Sequence, residues 1–419
     1  MQAVYNAVQF VMNLGAAIML PIVLLLVGVA FRMKPLEALK SGLFVGIGFM
    51  GINLVIGLLN TAIAGPVAYY QTLGSGFTIV DIPWSSMGAA SWAGPYAAFA
   101  VVASLILNVV LVELKVVKCL NVDIWNYIHM LIPAGVLYAF FHSFWLSFAY
   151  TVVLSVLACV CGYAGRKRWQ EQFGLEGTCC STLSYCMWSA PWFKVSNMII
   201  DKIPGLNKVD VNVESLNKKL GVIADPCFVG LFVGFLLTII TKQDVATVIT
   251  SSVQMSAVMV LLPRMVNVFM EGLAGISSAA SDFMMKKMGP DTDVVIGMDI
   301  CLGLGDPCAL TTTIIMVPIL IGLAFILPIN YFPVGTLTAV CYDTVMPTAY
   351  SHGNVFRSVL TQTVYYVWMC LMANYCAPEA TGFIQAMGLE VQGMGTYCGF
   401  ACPQFFIPAL IIKAMGLSA

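Results

Sequence analysis

Two short segments gather side chains able to grip a polar solute in a chain that is otherwise apolar. The first is Gly297-Met298-Asp299-Ile300-Cys301-Leu302-Gly303-Leu304-Gly305-Asp306-Pro307, with two carboxylates and three glycines. Gly and Pro unwind the backbone and free N–H and C=O groups that only a polar cavity or a ligand can satisfy inside a membrane. Each carboxylate accepts hydrogen from two hydroxyls and discriminates by geometry, so Asp299 and Asp306 suit a polyhydroxylated ligand. The same residues also read as a loop in which Asp306-Pro307 opens a helix as cap and first residue. The second segment is Thr78-Ile79-Val80-Asp81-Ile82-Pro83-Trp84-Ser85-Ser86-Met87-Gly88, where Asp81 is the only acidic residue between Glu37 and Glu113. Trp84 could stack on the apolar face of a sugar, or sit as an aromatic at the membrane interface.

Two further groups join them. In Asn121-Val122-Asp123-Ile124-Trp125-Asn126-Tyr127-Ile128-His129, Asn126 and His129 fall one turn apart on a helix face, unless Asp123 and Asn126 cap the start of a span. In Leu262-Pro263-Arg264-Met265-Val266-Asn267-Val268-Phe269-Met270-Glu271, Glu271 stands two turns from Arg264 and is the only glutamate between Glu214 and Glu379. It reads as a cavity-facing carboxylate or as half of a juxtamembrane charge pair. The candidate substrate residues are therefore Asp81, Trp84, Asn126, His129, Glu271, Asp299 and Asp306. The pairs Cys159/Cys161 and Cys179/Cys180 lack the spacing of a metal knuckle and only three histidines are present, so no metal is expected. There is no P-loop, nucleophile–base pair or nucleotide fingerprint, so no catalytic residue and no cofactor are expected.

The elements that must position these residues are membrane spans. The 419 residues hold 19 Lys and Arg, 20 Asp and Glu and 60% hydrophobic residues, with a mean hydropathy of +0.91. A bilayer core about 30 Å thick needs about 20 apolar residues per crossing, and such runs recur throughout. The expected fold is an all-α polytopic membrane protein of about ten or eleven transmembrane helices, with inverted repeats and broken or re-entrant segments. A net charge of −1 argues against nucleic acid. The first apolar run has no basic residues before it, so no cleavable signal peptide is expected.

Basic residues at Arg32–Lys40, Lys115–Lys118 and Arg166–Arg168 put the N-terminus outside and these loops in the cytoplasm. Spans are expected at about 5–31, 42–60, 89–112, 127–141 and 144–163, with a broken stretch at Thr61–Gly88. In the second half spans are expected near 227–240 and 246–262, followed by an inside loop marked by Arg264, Lys286 and Lys287. A broken stretch at Val294–Thr311 then precedes further spans near 312–327, 334–349, 359–376 and 397–415. The division is a first transmembrane repeat (1–165), a cytoplasmic or amphipathic connector (166–222) and a second repeat (223–419). Val80-Asp81-Ile82 aligns with Met298-Asp299-Ile300, and five crossings per half require the second copy to insert upside down. Such repeats with matching breaks mark alternating-access transporters.

At these residues the chain resembles the membrane component, enzyme IIC, of the bacterial phosphoenolpyruvate-dependent sugar phosphotransferase system, galactitol type. The resemblance rests on Val80–Trp84, Asn121–Asn126, Leu262–Val266, Ile296–Asp299 into Leu304-Gly305, and on Leu175–Gly177 and Asp201–Gly205. It implies a homodimer in the bacterial inner membrane, related to the ascorbate transporters, with a dimerising domain and a mobile substrate domain. It also implies transport of galactitol or a similar polyol, and separate enzyme IIB and IIA chains that phosphorylate it. The chain itself would carry no phosphorylation site. A histidine is expected in that family where this chain has Asp306, and the tail after Gly388, with Cys398 and Cys402, matches less clearly. An ion-coupled secondary transporter using Asp81, Asp299 or Glu271 is the alternative; a membrane-embedded enzyme is disfavoured.

Overall fold

A computed structural model describes residues 21–22, 24–26, 28–29, 31–73, 78–82, 84–91, 93–121, 124–211, 213, 226–288, 293–388, 396–399 and 403–417. The expected first span, Asp123 and Cys402 fall wholly or mostly outside these residues. In chain order the first half holds α1 (Pro35–Leu73), β1 (Val80–Asp81), α2 (Trp84–Ser91), α3 (Ala97–Glu113), β2 (Cys119–Asn121), α4 (Ile128–Phe141), α5 (Phe144–Phe173), β3 (Thr178–Cys180) and α6 (Ala190–Ile200). The second half holds α7 (Pro226–Ile240), α8 (Val245–Met288), β4 (Val295–Met298), α9 (Pro307–Ile326), α10 (Val334–Asp343), α11 (Val345–Tyr350), α12 (Val355–Tyr375), α13 (Ala377–Ala386), β5 (Tyr397–Cys398) and α14 (Phe406–Ala414). Single 3-10 turns at Ile124–Tyr127, Ile300–Gly305 and Pro403–Phe405 lead into α4, α9 and α14, and a wide turn, Ser184–Ser189, leads into α6.

The two longest helices pack against each other and are longer than the sequence suggests. The expected break from Thr61 is instead helix as far as Leu73, because Thr61 Oγ1 satisfies itself on Gly57 O at 2.9 Å and Ala, Ile, Tyr and Leu continue the turn. Likewise α8, 44 residues long, runs straight through Arg264, where a loop is expected. A basic residue marks where a side chain meets water; it does not require the backbone to turn. Leu36, Leu43, Ile47 and Leu54 on α1, Phe232 and Ile240 on α7, and Val245, Ile249 and Val253 on α8 are all exposed. An apolar face of that extent is not found on an ordinary soluble monomer. Among the described residues, Phe144–Phe173 and Pro307–Ile326 are each long and apolar enough to cross a membrane.

The strands are short, buried and parallel, and they join the two halves. β2 and β3 of the first half flank β4 of the second, with Cys119 opposite Val295 and Cys180 opposite Met298. β1 of the first half pairs with β5 of the second, Asp81 opposite Cys398. On its other edge the backbone N–H groups of Thr78 and Ile79 both donate to Asn330 O, at 2.9 and 3.0 Å. The free edge of β2 is closed by Asn108, which donates to Cys119 O at 2.9 Å and accepts from Asn121 N at 2.9 Å. Unpaired backbone at membrane depth is tolerated only when the protein satisfies it in this way.

The expected boundary at 165/166 falls inside α5, which ends at Gly174 with φ +67°. The first part of the expected connector is core: β3 is buried, as are Ser181, Thr182, Ser184 and Tyr185. Its next part lies at the surface, where Arg357 holds Asp201 at 2.7 Å and Asn207 O at 3.1 Å. Two of the basic segments meet the residues that lead into β4. Lys118 and Arg166 lie over the Tyr163 ring, and Arg166 pairs with Asp293 at 2.7 Å. The Tyr163 hydroxyl also donates to Asp293, and with Arg166 it holds that carboxyl below the usual range.

Candidate substrate site

The site grows from the three-stranded sheet. Gly297 in β4 lacks a side chain where any Cβ would come within 2.7 Å of Ser181 Oγ and 2.9 Å of Cys119 Sγ. That close approach lets the chain after β3 lie directly over the chain after β4. Ser181 N donates to Met298 O at 2.9 Å, extending the pairing by one residue. Thr182 follows, and its hydroxyl accepts from Ile300 N at 2.9 Å. Its own hydrogen lies between Asn126 Oδ1 at 2.7 Å and Asp299 Oδ2 at 3.2 Å. Asp299 Oδ1 accepts from Cys301 N at 2.8 Å, capping the 3-10 turn. Asn126 Nδ2 completes the group by donating to Ser181 Oγ at 3.0 Å.

His129 stands one turn beyond Asn126, buried on α4. Its Nδ1 lies 2.5 Å from Ser184 Oγ, in the wide turn after β3. On one face Trp84 approaches with ring centroids 5.1 Å apart, and Tyr185 meets the ring edge-on at 6.1 Å. Gln404, in the turn before α14, donates from Nε2 to His129 O at 2.7 Å and to Ser184 Oγ at 3.0 Å. Ser184 Oγ thereby receives one hydrogen and can give its own to His129 Nδ1, which leaves the imidazole proton on Nε2. Beyond Tyr185 lies a further carboxylate, Asp343 at the end of α10. It accepts from the Tyr185 and Tyr366 hydroxyls, each at 3.0 Å.

The structure thus brings together four of the seven expected residues: Trp84, Asn126, His129 and Asp299. It places the other three elsewhere. Asp81 sits on β1 at the second sheet, where Oδ2 accepts from Gly335 N at 2.8 Å and Thr336 N at 3.2 Å at the start of α10. Asp306 caps α9, accepting from Cys308 N at 2.8 Å and Ala309 N at 3.2 Å, and it also receives Gln172 Nε2 at 3.0 Å. This is the cap-and-Pro start that the sequence allows. Glu271 lies on an exposed face of α8. His352 takes a hydrogen bond of 2.9 Å from Arg168; burial and that cation hold its imidazole below the usual range.

Sequence reasoning misses Thr182, Ser184, Tyr185, Asp343 and Gln404. For Asp343 a signal exists: it is the only acidic residue between Asp306 and Glu379. The hydroxyls carry none, since many other Ser and Thr in the chain only bond back to their own helix, as Thr151 and Thr241 do. Chemically, the assembled group offers a carboxylate, two amides, an imidazole and hydroxyls within an apolar molecule, beside an indole face. That set matches a neutral ligand rich in hydroxyls better than a metal or an anion. Among the described residues no group of three or more His, Cys, Asp or Glu is arranged to hold a metal ion.

Comparison with known proteins agrees with this chemistry. The chain is 29% identical over 399 residues to the galactitol-specific EIIC component of the phosphotransferase system of Escherichia coli (strain K12), covering 91% of this chain and 87% of that one. A putative permease IIC component of the same organism is 27% identical over 395 residues, covering 92% and 88%. Residues 10–393 match the family EIIC-GAT, described as the sugar-specific permease component of the phosphotransferase system. With nearly its whole length matched, the chain belongs to that family of membrane permease components.

Proposed function

We propose that the chain carries galactitol, or a sugar alcohol close to it, across the bacterial inner membrane for phosphorylation by a separate enzyme IIB, itself supplied by enzyme IIA. The observation that carries this reading is the buried group of Asn126, His129, Thr182, Ser184 and Asp299 beside Trp84. Hydroxyl hydrogens of a polyol would go to Asp299 and Asn126, hydroxyl oxygens would accept from His129 Nε2, and the carbon chain would lie against the indole. Asp81 and Asp306 act on the same substrate by fixing the starts of α10 and α9, and Glu271 faces a surface that substrate or a second subunit reaches.

The strand pairing supports an inverted repeat. In sequence order β1 corresponds to β4 and β3 to β5, and each sheet pairs a strand of one copy with the opposite strand of the other. Ser184 and Gln404 sit in corresponding turns after those strands and meet at the junction. A site between two inverted copies is where alternating access exposes it to each side in turn. The repeats are joined through the segment after α6, which lies in the cytoplasm, and ten or eleven crossings account for the apolar helices. The exposed faces of α1, α7 and α8 are suited to lipid and to a second copy of the chain in a homodimer. Ser184 and His129, which share a hydrogen bond, serve here to bind hydroxyls, and the chain holds substrate while phosphoryl transfer belongs to the separate enzyme IIB.

Equilibrium binding to the purified chain in detergent tests the reading. Galactitol is expected to bind without partner proteins and without a sodium requirement. Binding that appears only with sodium, or only to an anionic solute, favours the ion-coupled transporter.

A further inference from the structure

Gln404 lies after residue 393, outside the stretch matched to the family, yet its side chain reaches the heart of the site. It is fully buried. One end of its amide lies 2.7 Å from the carbonyl oxygen of His129. A carbonyl only accepts, so that end must be the Nε2 donor, and the orientation of the amide is fixed by chemistry. The same nitrogen spends its second hydrogen on Ser184 Oγ. The carbonyl end, Oε1, is left buried with no donor among the described residues. An acceptor held this way is costly to leave empty, whereas one that receives a hydrogen on binding is worth a full bond to the ligand.

We propose that Gln404 is a substrate-binding residue whose Oε1 accepts the hydrogen of one hydroxyl of the transported polyol. The inference rests on the sugar-alcohol reading above. Gln404 lies beside His129, which presents a donor from Nε2, so the two side chains offer acceptor and donor together. A polyol, with a hydroxyl on each successive carbon, carries hydrogens and oxygens for both. The tail after Gly388 therefore supplies part of the recognition surface, and the second repeat contributes to the site through Gln404 as well as Asp299.

The test is a cycle of protein variants and deoxy ligands, read by calorimetry on purified, monodisperse protein. The parent is first measured with galactitol, D-sorbitol and D-mannitol; binding of none of them contradicts the sugar-alcohol reading and removes this inference with it. With the binding polyol established, Gln404→Met and the parent are titrated with the polyol and with its 1-, 2- and 3-deoxy forms. Gln404→Met should bind the intact polyol about 3- to 10-fold more weakly, the worth of one neutral hydrogen bond. One deoxy position should weaken binding to the parent yet leave Gln404→Met unaffected. If every deoxy position costs Gln404→Met as much as it costs the parent, Gln404 only supports His129 and the inference fails. Should Gln404→Met not fold, Gln404→Asn, which withdraws the same carbonyl by one methylene, takes its place in the cycle with the same two outcomes.

Discussion

Asp299 does two jobs with its two oxygens. Oδ1 holds the turn at Cys301, and Oδ2 accepts from the Thr182 hydroxyl, which Asn126 shares. A polyol hydroxyl can therefore compete for Oδ2 without dismantling the turn. Asp299→Asn keeps the shape and the cap, since Asn caps as well as Asp, but replaces a charge-assisted acceptor by an amide. A hydrogen bond to a charged group is worth about 1.5–3 kcal/mol, so polyol affinity is expected to fall about 10- to 150-fold with little change in thermal stability. Calorimetry and an unfolding scan on the same preparation check both halves. Unchanged affinity would confine Asp299 to its role as a cap.

At the scale of elements, the fold is held open at its breaks by capping carboxylates. Asp81 fixes α10 from a neighbouring strand, and Asp306 fixes α9 from its own N-cap. Asp306→Ala is expected to destabilise the protein by about 0.5–2 kcal/mol, while Asp306→Asn should be nearly neutral; a lower unfolding temperature for the first alone checks it. The breaks themselves were legible: both Asp81 and Asp299 lie where Gly, Pro and isolated charge interrupt the apolar runs, and both sit at strands. Their different roles were not legible, because a capping Asp and a ligand-binding Asp have the same local sequence. The connector misled for a related reason. Its polar residues mark the end of α5 and the exposed Asp201–Val211 stretch, but Ser181, Thr182 and Ser184 between them are buried and bonded to Asn126, Asp299 and His129. Only the pairing of β3 with β4, more than a hundred residues away, reveals that. The continuation of α1 past Asn60 was hidden because its Gly, Thr and Pro66 read as a break while the helix absorbs them.

For the whole molecule, the charge pattern predicts the orientation, with the basic segments at Lys118 and Arg166 on the cytoplasmic side. Cysteines placed at Gln2 and at exposed Glu176 should respond differently in intact cells, with an impermeant thiol reagent labelling only the first; the reverse would invert the molecule and move the enzyme IIB surface to the wrong side. The central claim is that transport is tied to phosphorylation by separate chains. Its most direct test is to reconstitute the purified chain in liposomes with labelled galactitol outside and the enzyme IIB and IIA chains, the remaining phosphotransferase proteins and phosphoenolpyruvate inside, and to identify the product that accumulates. Phosphorylated galactitol, appearing only with phosphoenolpyruvate and both partner chains and with no stable phosphate on this chain, is the predicted result. Accumulation of unmodified galactitol driven by a proton or sodium gradient alone would contradict it.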